Sequence, residues 1–136
     1  PGGSLGKRLL LRISDIMHDE ARLPCVHECV LIKDALVEMS EKGLGMTAVV
    51  DDSGQLTGVF TDGDLRRILD NQTNIHQANI AQVMTKNPFV ASPTMLAAEA
   101  LKLMEEKKIN GLIVIDESNK PVGAMNMHDL LRAGVM

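Results

Sequence analysis

The sequence predicts an α/β fold made of two tandem units, each strand–helix–strand–strand–helix, packed through their sheets as a pseudo-twofold pair. Three observations predict it. The second half of the chain repeats the first after a shift of 65 residues. Each half carries one helical apolar stripe between short apolar runs. One half alone holds too little apolar sequence for a comfortable core, so two halves must share one.

The shift lays Ile32–Arg67 on Ala97–Arg132 without a gap. Identities include Ala35/Ala100, Leu36/Leu101, Met39/Met104, Glu41/Glu106, Lys42/Lys107, Val49/Val114, Asp51/Asp116, Gly58/Gly123, Asp64/Asp129, Leu65/Leu130 and Arg67/Arg132. Average composition gives only about two or three such matches by chance. Upstream, "ISDIM" at Ile13–Met17 echoes "IAQVM" at Ile80–Met84 after a shift of 67, so the first copy holds two extra residues near "HDEARLPC".

Taken in order, each unit begins with a short extended piece, "PCVHECV" or "NPFVAS". A helix follows, because Ile32, Ala35, Leu36 and Met39 recur at i, i+3, i+4 and i+7, as do Ala97, Ala100, Leu101 and Met104. Ser92-Pro93 supplies an expected cap and first-turn proline for the second of these helices. Buried strands "MTAVVDD" and "GLIVIDE" come next, then turn residues Ser53-Gly54 and Ser118–Pro121, then strands "LTGVF" and "VGAM". A last helix starts near Gly63 or His128. Asn71–Asn79 is polar and aperiodic and reads as the linker.

Composition sets the material of the core. Of 136 residues 45% are hydrophobic, yet there is no Trp or Tyr and only Phe60 and Phe89 are aromatic. Aliphatic residues and nine Met must fill it. The net charge of −4 is interspersed, which offers no basic face to nucleic acid. No apolar run is long enough to span a bilayer. Cys25 and Cys29 lack further cysteines or a ligand set for zinc, and read as reduced thiols of a cytoplasmic chain.

"GVFTDGDLRR", Gly58–Arg67, carries the most chemistry. Asp62-Gly63-Asp64 offers too few oxygen ligands for a divalent cation, and no base or orienting partner for a nucleophile stands at recognisable spacing. No phosphate-binding loop or dinucleotide glycine pattern occurs. Thr61 and Asp64 are spaced as a capping box, which satisfies free amides at a helix start. The same helix start can also receive an anion. Asp62 reads as a surface residue, and Arg66, Arg67 and Arg132 as solvated helix faces able to reach an anionic ligand. His18, His27 and His76 show no local partner and receive no role.

The motif Gly58-Val59-Phe60-Thr61-Asp62-Gly63-Asp64 and its echo Gly123-Ala124-Met125-Asn126-Met127-His128-Asp129 resemble the CBS domain signature, and the duplicated chain resembles a Bateman module. The resemblance divides the chain into units 13–70 and 80–136 with a linker at 71–79. It implies a regulatory nucleotide site, in which Thr contacts phosphate and Asp accepts from ribose hydroxyls. One cleft is implied at Thr61, Asp64, Met84, Pro88, Phe89, Asn110 and Gly111. Another is implied at Met17, Leu44, Gly45, Met46, Asn126, His128 and Asp129. Asn126 departs from the pattern by replacing the hydroxyl, which favours the first cleft.

The flanks, together with "LGMTAVVDDSGQLTGVFTDGDLRR" and "MHDLLRAGV", resemble the C-terminal part of bacterial D-arabinose 5-phosphate isomerases. That resemblance implies a sugar isomerase (SIS) domain ahead of residues 1–12, which would be a linker from it. It places catalysis outside these residues and requires no cofactor. It implies AMP, ATP or CMP-Kdo, the activated acidic sugar of lipopolysaccharide, as regulatory ligand, and a homodimer through paired modules. A purely structural dimerisation module without ligand is the competing reading.

Overall fold

The runs Met46–Val50 and Gly111–Ile115 form interior strands of two sheets, as their β-branched residues favour. The computed structural model describes residues 5–136. Residues 1–4 of the expected leading linker lie outside them. The described chain runs α1 (Leu5–Leu9), α2 (Ile13–Ile16), a 3-10 turn at Glu20–Arg22, β1 (Cys25–His27), α3 (Ile32–Lys42), β2 (Met46–Val50), β3 (Leu56–Thr61) and α4 (Asp62–Asp70). It continues with a 3-10 turn at Ile80–Gln82, β4 (Thr85–Lys86), β5 (Val90–Ala91), α5 (Ala97–Lys107), β6 (Gly111–Ile115), β7 (Pro121–Asn126) and α6 (Met127–Arg132). This is the duplicated α/β order that the repeat predicts.

In the first sheet β2 lies between parallel β1 and antiparallel β3; in the second, β6 lies between parallel β5 and antiparallel β7. Both hairpins slip register at the same place, Val49/Val50 and Val114/Ile115. Both turn on an aspartate. Asp51 accepts the Ser53 and Gln55 amides at 2.9 and 3.0 Å, and Asp116 accepts those of Ser118 and Lys120 at 2.8 and 2.9 Å.

The leading segments cross between the units. β4, from the second repeat, pairs with β3 of the first sheet. Reciprocally, His18 exchanges backbone hydrogen bonds of 2.8 and 2.9 Å with Ala124 of β7. Ile13 is therefore buried in the second core, with Met104 and Leu130, and Ile80 in the first, with Ile32 and Phe60. The repeated glycines make room for the crossing. A Cβ on Gly58 would meet Met84 Sδ at 2.6 Å, and one on Gly123 would collide with Met17. A third apolar cluster, including Met46, Ala48, Ile113 and Ala124, joins the two sheets. This shared cluster supplies what one unit alone lacks.

One expected helix start moves. α5 begins at Ala97, not at Ser92-Pro93, because the crossing segment takes the intervening backbone. Ile13 N–H donates to Met95 O at 2.8 Å and Ser14 N–H to Pro93 O at 2.9 Å, while Ala97 N–H donates to Leu11 O at 2.8 Å. The first helical amide is satisfied by that carbonyl, so Ser92 is not needed as a cap. The stretch 71–79 also does more than span a gap. Its Ala78 and Ile75 carbonyls accept the Ile32 and Lys33 amides at the start of α3. No helix of the described residues is long and apolar enough to cross a membrane.

Candidate functional site

β3 ends at Thr61 in extended geometry and α4 begins immediately, so the Thr61 side chain faces the first helical turn. Thr61 Oγ1 accepts the Asp64 amide at 3.2 Å, and Asp64 Oδ2 accepts the Thr61 amide at 3.0 Å. The capping box is therefore real. Asp62 N–H donates to Gly45 O at 3.0 Å and fixes the helix start against the entry to β2. The other oxygen of Asp64 accepts Arg67 Nη1 and Thr85 Oγ1, both at 2.9 Å. Thr85 arrives on β4, which is why the crossing strand matters to this corner.

The second unit repeats the arrangement with different partners. Asn126 Oδ1 accepts the Asp129 amide at 3.0 Å, and Asp129 Oδ2 accepts the Asn126 amide at 2.9 Å. Asp129 Oδ1 accepts Arg132 Nη2 at 2.6 Å and His18 Nε2 at 2.9 Å. A carboxylate only accepts, so Nε2 of His18 carries the proton. Burial opposes ionisation of Asp129, but the hydrogen bonds from His18, the Asn126 amide and Arg132 outweigh it and hold its carboxyl below the ordinary value.

Between the two units lies a cavity of about 630 Å³. One wall is the Thr61–Asp64 corner, with Arg67 and Thr85. Asn87, Pro88 and Phe89, which lead into β5, form the next, and Lys107 Nζ stands 5.1 Å from the centre of the Phe89 ring. The entries to the interior strands, Leu44–Met46 and Lys108–Gly111, close the far side with Asn126, Met127 and His128. Asp62 and Asp64 are offset there by Arg67 and Lys108, so the walls carry both signs. Among the described residues no group of three or more His, Cys, Asp or Glu is placed to hold a metal ion.

The sequence profile of the CBS domain matches residues 13–71 and 80–135. The chain belongs to the CBS domain family. Its CBS pair is 55% identical, over its full 136 residues, to the arabinose 5-phosphate isomerase KdsD of Pseudomonas aeruginosa, and covers 42% of that protein. It is 46% identical to KdsD of Escherichia coli K12 and covers 41% of it. The chain thus spans about two-fifths of the curated relatives it matches. Among solved structures, CBSX2 in complex with AMP is 27% identical with a TM-score of 0.79, over 92% of this chain and 96% of that one. The CBS domain pair of protein MJ0100, in complex with 5′-methylthioadenosine and S-adenosyl-L-methionine, shares the fold at 21% identity and a TM-score of 0.82, over 93% and 97%.

The CBS pair brings most of the residues singled out by sequence to one place rather than two. Thr61, Asp64, Pro88, Phe89, Asn110 and Gly111 line the cavity, and so do Leu44, Gly45, Met46, Asn126 and His128 from the other expected set. Three do not reach it. Met84 and Met17 are spent on Gly58 and Gly123, where they seat the crossing segments. Asp129 is turned to His18 and Arg132.

Some readings are sharpened. Asp62 is exposed, as expected of a surface residue, and it also lines the cavity, with its carboxylate 2.8 Å from where a Cβ on Gly45 would stand. Arg67 and Arg132 are solvated as expected, 66% and 61% exposed, and their tips also pair with the buried carboxylates. His18 and His27 do have partners, Asp129 and, at 2.6 Å, Asp52. Sequence reasoning also missed Thr85, Asn87 and Lys108. The 67-residue echo contained the signal for Thr85, since it continues from Met17/Met84 to His18/Thr85.

Proposed function

We propose that this CBS pair is the regulatory nucleotide-binding module of a D-arabinose 5-phosphate isomerase. The observation that carries the reading is the Thr61–Asp64 capping box, opening a nine-residue helix at the wall of the inter-unit cavity. The phosphate of a nucleotide meets Thr61 and the Gly63 amide, since the Asp62 and Asp64 amides are taken by Gly45 O and Thr61 Oγ1. The start of α4 is a favourable place for an anion. The ribose hydroxyls donate to Asp64. That carboxylate is covered by Arg67 and Thr85, so ligand entry exchanges one of their hydrogen bonds for a ribose bond. Arg67 is 66% exposed and free to swing away. A bond to a charged group contributes roughly 1.5–3 kcal/mol, enough for the exchange to matter. Support comes from the AMP complex of CBSX2, a protein 27% identical over nearly the whole chain.

The isomerase part follows from the KdsD relatives, in which this chain matches a segment preceded or followed by far more sequence. The module is then joined to a SIS domain that performs the aldose–ketose isomerisation, and adenine nucleotides or CMP-Kdo are its regulatory ligands. Binding regulates by favouring one arrangement of the two units over another. Titration with AMP, ATP, CMP and CMP-Kdo by calorimetry tests this. Asp64→Ala is expected to weaken binding by at least about tenfold. No heat and no thermal shift at millimolar concentration with any of the four defeats the nucleotide reading.

A second reading has an observation of its own. Val37, Leu69 and Leu131 are apolar side chains 56%, 59% and 55% exposed on α3, α4 and α6, and in this reading a second copy covers them. Sedimentation of the purified pair at micromolar concentration measures it, and a monomer removes this reading.

A further inference from the structure

The two carboxylate corners are related by the internal repeat, yet the cavity reaches only one of them. It touches Thr61, Asp64, Arg67 and Thr85 in the first. In the second it stops at Asn126, Met127 and His128, short of Asp129, Arg132 and His18. The backbone does not cause the difference. Thr85 pairs with Val59 on β3, and His18 makes the matching bridge to Ala124 on β7. Both carboxylates are equally covered, with Asp64 2% and Asp129 5% exposed. Besides the cap residue, Thr61 against Asn126, what differs is the partner delivered by the crossing segment. A threonine hydroxyl is small and rotates about one bond, so it can give up Asp64 to an incoming hydroxyl. An imidazole is a bulky rigid ring, held here by its Nε2 bond to the carboxylate.

We infer that this chain has a single nucleoside-phosphate position, and that His18 is the residue that closes its twin. This rests on the nucleotide reading above. The ring occupies the approach to Asp129 that a ribose would need, and its Nε2–H takes the acceptor that a ribose hydroxyl would use. The Thr85 corner is thereby selected, and each chain takes one nucleotide instead of two.

Reciprocal exchange tests the inference with and without ligand. In His18→Thr, a crystal structure of the ligand-free variant is expected to show the cavity extended to Asp129 and Arg132. Calorimetry with AMP is expected to give one site in the wild type and two in the variant. In Thr85→His, on a short exposed strand, the Asp64 corner is expected to close and AMP affinity to fall by at least about tenfold. Two AMP sites in the wild type overturn the inference and leave nucleotide binding intact. So does a His18→Thr structure whose second corner stays shut, or a Thr85→His variant with wild-type affinity. If His18→Thr opens the corner but neither protein binds AMP, ATP, CMP or CMP-Kdo, closure by His18 stands and the nucleotide reading falls.

Discussion

The corners at Asp64 and Asp129 use one scaffold for two ends. Each has a strand that runs straight into a helix, a capping box, a carboxylate buried behind it and an arginine three residues on. In the first the remaining partner is a hydroxyl and the corner opens on the cavity. In the second it is an imidazole 111 residues away in sequence, and the corner is a tie between the leading segment and α6. The difference teaches that a motif sufficient to build a helix start is not sufficient to make a site. Access is decided by what another part of the chain lays over the carboxylate.

The largest expected effects lie beneath the corners. Phe60, the one aromatic side chain in the core, corresponds to Met125, and both are fully buried. Phe60→Ala is expected to cost about 3–5 kcal/mol and Met125→Ala about 2–4 kcal/mol, by urea denaturation. A loss under about 1 kcal/mol in either would show that one unit's core repacks where the other cannot.

Next come the carboxylates themselves. Asp129→Asn keeps the shape but removes the charge that takes the His18 and Arg132 bonds, with an expected loss of about 2 kcal/mol at pH 7. The pH dependence follows from a folded carboxyl held below the ordinary value of 3.8. Its contribution is complete above that value and is lost as pH falls through the folded value. The gap between wild type and Asp129→Asn should therefore narrow steadily below about pH 4. A gap that stays constant to pH 3 would show that the Asp129 charge adds nothing to stability.

The duplication was legible because it lies in the sequence itself, and the element order and the Thr61–Asp64 capping box because they are local. Periodicity marks α3 and α5, and Thr61-x-x-Asp64 needs only its own four residues. The crossing of the leading segments was legible only through the family resemblance, which set Met84 beside Asp64 and Met17 beside Asp129; the packing it produces was not. Nothing near Ile13 says that it is buried beside Leu130, or near His18 that its ring meets Asp129; these are decisions of packing between the units. For the same reason Met17 and Met84 read as cleft residues, although they fill the space left by Gly123 and Gly58. The glycine of the repeated motif is explained by that close approach rather than by a ligand.

The smallest effect isolates one pair of matched positions. α3 ends on Gly43 at φ 71°, where any residue with a Cβ is disfavoured, and α5 ends on Lys108 at φ 56°. Both amides close the last turn in the same way, onto Met39 O and Met104 O. Lys108→Gly is expected to stabilise the fold by about 0.5–1 kcal/mol, and Gly43→Lys to cost a similar amount, since a Cβ at Gly43 meets nothing within 4 Å. Calorimetric melting of the two variants measures both. If Lys108→Gly lowers the melting temperature instead, backbone strain at Lys108 is outweighed by contacts of its side chain at the cavity wall. The two helix ends would then differ for the same reason as the two corners, by what surrounds them rather than by their own geometry.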